Sequence, residues 1–230
     1  MKKLTVLISI AALSFSIICC SSARAESRWS RLVEESGRVL GEIQQMPDQS
    51  IPEDLMRSCH AICIFPNTIS AGFIFGGKYG QGIMMVRDER TDSWSPPAAF
   101  TMAGGSFGWQ IGGQATDFVL LVMNRRSVDG ILDGKFKLGA DASVAAGPVG
   151  RAAEASTDIQ LKGGILSYSR SRGLFAGVKL EGAVIAQQWD GNFALYGKGF
   201  SARQILLEDM VKMPKSADSL LAILSKYPKR

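Results

Sequence analysis

The chain has 230 residues, 46% of them hydrophobic and 20% charged, with a formal net charge of +5. That length suits one domain with a substantial core. Three of the positive charges, Lys2, Lys3 and Arg24, fall in the first 25 residues, so the remainder carries +2, which excludes the strongly basic footprint of a nucleic-acid binder.

Lys2 and Lys3 precede an apolar run from Leu4 to Ile18, followed by Ala23-Arg24-Ala25. This is the basic, apolar and small-residue order of a secretory leader cut after Ala25. The apolar run is too short and wrongly flanked for a transmembrane helix. Cys19 and Cys20 leave a second processing route open, acylation at Cys20 with Ile17 three residues before it. The expectation is an exported chain, periplasmic or attached to the cell envelope, with a lipid anchor at Cys20 as the alternative to simple cleavage.

Trp29, Leu32, Val33, Val39, Leu40, Ile43 and Met46 recur at three- and four-residue spacing and predict an amphipathic helix over 28–46. Ser27 or Ser30 can cap it and Pro47 stops it. Its polar face mixes Arg28, Arg31 and Arg38 with Glu34, Glu35 and Glu42, which is ordinary for a helix packed on a domain and less basic than a membrane-surface helix. A short second helix is expected from Pro52 to Ser58 or His60, with Glu53 and Asp54 in its first turn. Ile62 to Phe65 reads as a brief strand ended by Pro66-Asn67.

Ser70 to Val86 is apolar and aromatic, yet five of its seventeen residues are Gly. Each Gly costs about 1 kcal/mol in a helix interior relative to Ala, and the run is too apolar for a loop. It predicts buried strands, 70–79 and 81–87, bent at Gly76-Gly77 and Gly80. Further strands are expected at 98–103, 106–113 and 117–123, the last a continuous apolar run. A short helix follows over 124–133, with Val128, Ile131 and Leu132 on one face. Gly139 to Val149 is small and apolar. A hairpin is expected from 154–161 and 163–169, then one long strand over 174–188 broken at Gly177 and Gly182. Ser201 caps a helix over 202–210, and a last helix starts at Ser216 or Asp218 with Leu220, Leu221, Ile223 and Leu224 inward. The fold class is α+β: a strongly curved, mostly antiparallel, Gly-rich sheet or barrel flanked by N- and C-terminal helices, as a single domain over 26–230.

The motifs point away from catalysis. Gly72 to Lys78 matches the GxxxxGK of a phosphate loop, but Tyr79 stands where a Ser or Thr must hold Mg²⁺, and Phe-Ile-Phe fills the loop. Cys59, His60 and Cys63 are too compact for a tetrahedral metal site. They read as two small buried apolar residues beside a partly buried helix-end residue. His60 is the chain's one histidine, and no GxSxG elbow accompanies it. Asp117 and Asp141 border apolar strands and are expected as turn or cap residues. Arg125, Lys135, Lys137 and Arg170 could form a headgroup site if they converge. No cofactor, metal or nucleic acid is called for.

Several phrases together resemble one family. They are Ile64-Phe65-Pro66; Ala71-Gly72-Phe73 with Gly76-Gly77-Lys78-Tyr79-Gly80-Gln81-Gly82; Trp94-Ser95-Pro96-Pro97; Gly105-Ser106-Phe107-Gly108; Asp141 to Arg151; Tyr168 to Gly177; and Tyr196-Gly197 before Ile205-Leu206. In this order, over about 51–207, they are similar to the SYLF family of lipid-binding domains. The resemblance implies a non-catalytic module that binds phospholipids. Eukaryotic members bind phosphoinositides and act in endocytosis and actin organisation, and an amphipathic N-terminal helix is implicated in their membrane contact. Carried onto this chain, the helix contributes Trp29, Leu32, Val33 and Leu40, beside the basic Arg125, Lys135, Lys137 and Arg170. The export leader separates the chain from cytosolic actin, so lipid association and not actin binding is expected. The expected function is a phospholipid- or membrane-binding module of the bacterial cell envelope. The alternative is a structural envelope protein acting through protein contacts.

Overall fold

A computed structural model describes residues 27–46, 49–72, 75–107, 114–150, 164–171 and 173–229. The leader, its cut after Ala25, the anchor at Cys20 and the strand expected over 154–161 lie outside the described residues.

Helix α1, Arg28–Gln44, starts where the Ser27 hydroxyl accepts a hydrogen bond from the Ser30 amide at 3.0 Å. Its periodic face, Trp29, Val33, Val39, Leu40 and Ile43, is buried. Helix α2, Glu53–Ser58, leads into the sheet strands β1 (Ala61–Gly72), β2 (Phe75–Val86), β3 (Ala98–Phe107) and β4 (Gln114–Val122). Helix α3, Arg125–Leu132, is capped by Asn124, whose side chain accepts from the Ser127 amide. Then come β5 (Phe136–Lys137), β6 (Val144–Ala146), β7 (Ile165–Ser171), β8 (Leu174–Gly177), β9 (Val184–Gln187), α4 (Trp189–Tyr196), α5 (Ala202–Leu207), a 3₁₀ turn (Lys215–Ala217) and α6 (Asp218–Leu224).

Among the described residues nine strands form one sheet, in the order β5-β9-β3-β2-β1-β4-β7-β6, with β8 added onto β7. The β6–β7 pairing is parallel and the other strand pairings are antiparallel. The sheet curls into a half-barrel, so the fold is the expected α+β class with helices at both ends.

Strand alternation splits the core in two. Cys63, Phe65, Phe118 and Leu120 point to one face, where Val128 and Ile131 of α3 and Ile205 and Leu206 of α5 complete the packing. Ile62, Ile64, Val119 and Leu121 point to the other, under α1 and α6. Cys59 belongs to the second core and Cys63 to the first, so the two thiols are free and buried on opposite sides. Burial pushes the Cys59 thiol up to about 11 and the Cys63 thiol up to about 12. The helices of the second core pack closely: a Cβ on Gly37 of α1 would lie 3.1 Å from the Leu220 backbone nitrogen of α6.

Several boundaries differ from the sequence expectation. Pro66-Asn67 does not end a strand. β1 runs through it as a bulge, with the register to β4 shifting between Phe65 and Thr68 and Asn67 at φ 49°. A bulge tolerates proline, which lacks a ladder donor, and asparagine accepts the left-handed backbone. Ser70 to Tyr79 is not one strand either, because β1 ends at Gly72 and β2 begins at Phe75. The long strand expected over 174–188 is two short ones with different partners, β8 on β7 and β9 between β3 and β5. α5 stops at Leu207 instead of Met210. Helix α4 has no counterpart in the sequence expectation.

Candidate functional site

Arg170 lies at the centre of a closed ring of polar contacts that fastens α1 to the sheet. Its Nε and Nη2 donate to Asp117 Oδ2 at 2.9 and 2.8 Å, and its Nη1 donates to Glu42. Glu42 also accepts from Arg38, and Arg38 Nε donates to Glu35 Oε2 at 3.0 Å. Glu35 Oε1 accepts from Asn67 Nδ2 at 3.3 Å, and the Asn67 amide donates to Asp117 Oδ1 at 2.8 Å, which closes the circuit. The bulge aims the Asn67 amide at Asp117. The Arg38 hydrogen bond holds the Glu35 carboxyl below its ordinary value, and the Arg170 hydrogen bond does the same for Glu42. Asp117 is therefore a buried ion-pair partner within β4, not a turn residue. Asp141 does serve a turn, its Oδ2 accepting from the Lys137 amide at 2.6 Å.

The ring marks the limit of α1's cover. Beyond it the four central strands continue with the same face uncovered. Ile69 of β1 pairs with Tyr79 of β2 and with Ala115 of β4, and Tyr79 pairs with Ala103 of β3. All four are exposed, Ile69 at 60% and Tyr79 at 52%. The next row, Ala71, Gly77 and Gly105, is exposed as well. By alternation these residues share the side that holds Val119, Ile83 and Met85 under α1. On the opposite side Lys78 rests over the Phe118 ring, 5.6 Å from its centroid, and burial draws its pKa down.

The residues singled out from the sequence take three kinds of position. Trp29, Val33 and Leu40 are 7%, 0% and 0% exposed, and Leu32 is half-buried, so their apolar surface packs within the protein. Arg125, Lys135 and Lys137 are exposed: Arg125 pairs with Asp129 of its own helix at 3.5 Å, Lys135 follows α3, and Lys137 lies on β5. Arg170 stands apart from these on β7, inside the ring. Sequence reasoning missed the uncovered row, although the absence of charge around it was there to read. It also missed the exposed aromatic pair on α4, Trp189 at 51% and Phe193 at 58%.

Residues 103–227 match the family described as "Ysc84: Las17-binding protein actin regulator". Protein YSC84 of Saccharomyces cerevisiae is 37% identical over 180 residues, covering 77% of this chain and 38% of that protein. LAS seventeen-binding protein 3 of the same species is 36% identical over 180 residues, covering 77% of this chain and 39% of its own. SH3 domain-containing YSC84-like protein 1 of Homo sapiens is 30% identical over 203 residues, covering 86% of this chain and 58% of its own. The chain thus spans about two fifths of the length of the yeast relatives. The family and LAS seventeen-binding protein 3 are named for Las17 binding, the human protein for its SH3 domain, and none of these names is that of an enzyme. By sequence match and by the phrases that run through its sheet, this chain belongs to the Ysc84 family of SYLF-domain proteins.

Proposed function

We propose that this chain is a non-catalytic module that binds phospholipid membrane surfaces in the cell envelope. The observation that supports it is the uncovered sheet face around Ile69 and Tyr79, apolar and uncharged, which continues the face that α1 buries. A contiguous apolar patch of that kind marks an interaction surface. Among the described residues no group of three metal-ligating side chains assembles. His60, the one histidine, has its Nδ1 3.1 Å from a carboxylate oxygen of Glu89. The secretory form of the first 25 residues supports export and hence an envelope location.

The test is co-sedimentation of the processed protein with zwitterionic and with anionic vesicles. Binding to at least one is expected, and its absence from both overturns the reading. A second reading, contact with a protein, is favoured by the names of the Las17-binding relatives and by Trp189 and Phe193, four residues apart on one face of α4. A stable protein cross-linked to that face in the native envelope, with no vesicle binding, is the outcome that selects it.

A further inference from the structure

Beyond α6 the chain runs back as a strap held by a buried arginine. Arg87, just past β2, has a fully buried side chain, and its guanidinium lies 4.7 Å from the centre of the Trp94 ring. Nη1 donates to the Arg57 carbonyl at 2.8 Å and Nη2 to the Met56 carbonyl at 2.9 Å, both near the end of α2. Nη2 also donates to the Tyr227 carbonyl of the strap at 3.0 Å. Asp92, in the β2–β3 connection, holds the strap two residues further on. Its Oδ2 accepts from the Lys229 amide at 2.8 Å, and its Oδ1 lies 3.4 Å from Arg87 Nη1. Asp92 has a left-handed backbone, φ 59°, which aspartate tolerates. Arg57 Nη1 donates to the Pro228 carbonyl at 3.4 Å. Residues 227–229 are thus tied to α2 and to the β2–β3 connection by polar contacts.

The same corner holds the chain's one histidine. The Arg87 amide donates to the His60 carbonyl at 2.8 Å, so His60 adjoins the residue that grips the strap. The charged groups that face its half-buried imidazole come from three elements. Glu89 of the β2–β3 connection has a carboxylate oxygen 3.1 Å from Nδ1, and Lys229 of the strap and Arg125 of α3 act on the ring by their charge. Glu89 favours the protonated ring. Burial, Lys229 and Arg125 oppose it, and they hold the imidazole below its ordinary value. The strap therefore carries a charge that resists protonation of His60. Withdrawing the strap removes that charge, so the open form takes up a proton at His60 more readily than the closed form. By linkage, the proton favours the open form to the same extent.

From this coupling we propose that residues 227–229 form an acid-released strap, closed on Arg87 and Asp92 while His60 is neutral and let go when His60 takes up a proton. The closed form keeps its full stability above the ordinary histidine value of about 6.5 and loses part of it as pH falls through the lower folded value. That window lies above the one in which Glu35 and Glu42, with their depressed carboxyls, take up protons. Release returns an Arg87 donor and an Asp92 oxygen to water and unties residues 227–229 from α2. The device acts at the end of the sheet away from Ile69 and Tyr79 and is independent of the membrane reading.

The experiment follows two signals by NMR in the processed protein: the imidazole resonances of His60, unambiguous because the chain has one histidine, and hydrogen exchange at the Lys229 amide. Exchange, corrected for the intrinsic effect of pH on the chemistry, is expected to rise at least about threefold between about pH 7.5 and about pH 5.5, with a midpoint that tracks the His60 titration. In His60→Gln the rise is expected to vanish. In Lys229→Gln the His60 midpoint is expected to move up, because one opposing charge is gone. Lys229 exchange that stays level while His60 titrates overturns the proposal, as does an undiminished rise in His60→Gln. Should His60→Gln unfold, Lys229→Gln decides alone, and an unmoved His60 midpoint there overturns the coupling.

Discussion

At Arg170 one guanidinium satisfies two carboxylates from different parts of the chain, and its neighbours in the ring are not energetically equal. The Arg170 and Asp117 side chains are each 11% exposed, so removing the cation leaves a desolvated charge on β4. Breaking a buried pair in this way costs about 3–5 kcal/mol, and slightly less here because Glu42 remains partly in water. Arg38, at 51% exposed, belongs to the regime where an ion pair contributes about 0–1 kcal/mol. Denaturant unfolding of Arg170→Gln is therefore expected to show a loss of about 2–4 kcal/mol, while Arg38→Gln shows less than about 1 kcal/mol. Equal losses would mean that the ring acts as one unit instead of being anchored by its buried pair. Nothing in the local sequence marks this hierarchy. Asp117 borders an apolar run like any strand-end acid, and only the bulge at Asn67 and the register of β7 show what it meets.

The helices that amphipathic spacing could announce were legible. α1, α3 and α6 each bury one stripe, and Ser27, Asn124 and Ser201 are capping residues readable from their type alone. α4 gave no such signal, because apolar residues surround it: Gly191 and Asn192 face inward while Trp189 and Phe193 face out. It is held by polar and steric fit. The Asn192 side-chain oxygen accepts from the Ala99 amide at 2.7 Å, and Gly197 at φ 71° ends the helix. Gly191 lies against the first turn of α1: a Cβ there would stand 2.5 Å from Ala99 Cβ and 2.6 Å from the Trp29 ring. Ala ordinarily gains about 1 kcal/mol over Gly in a helix, but overpacking costs about 1–3 kcal/mol. Thermal unfolding of Gly191→Ala is expected to show a net loss, and an unchanged or higher midpoint would mean that Trp29 can move aside.

For the whole molecule, the ring makes stability depend on acid. Glu35 and Glu42 have carboxyls depressed below their unfolded value, by the Arg38 and Arg170 hydrogen bonds respectively. Depressed carboxyls stabilise the fold above the unfolded value of about 4.3, and that contribution is lost as pH falls through the lower folded values. The urea midpoint is thus expected to fall on acidification below about pH 4, with a shallower slope in Glu42→Gln. An identical slope in that variant would assign the acid dependence to other groups. The sequence by itself determined the α+β class, the capped amphipathic helices, the Gly-rich strands and the family, because these rest on local periodicity, on residue chemistry and on phrases in order. It did not determine which strands are neighbours or where α1 stops. Alternation says which side of a strand a residue takes but not what lies across from it. The contacts that decide the candidate site, Asp117 with Arg170 over 53 residues and Glu42 with Arg170 over 128, are non-local. Only the folded sheet shows that α1 covers the face as far as Asn67 and leaves Ile69 and Tyr79 open beyond it.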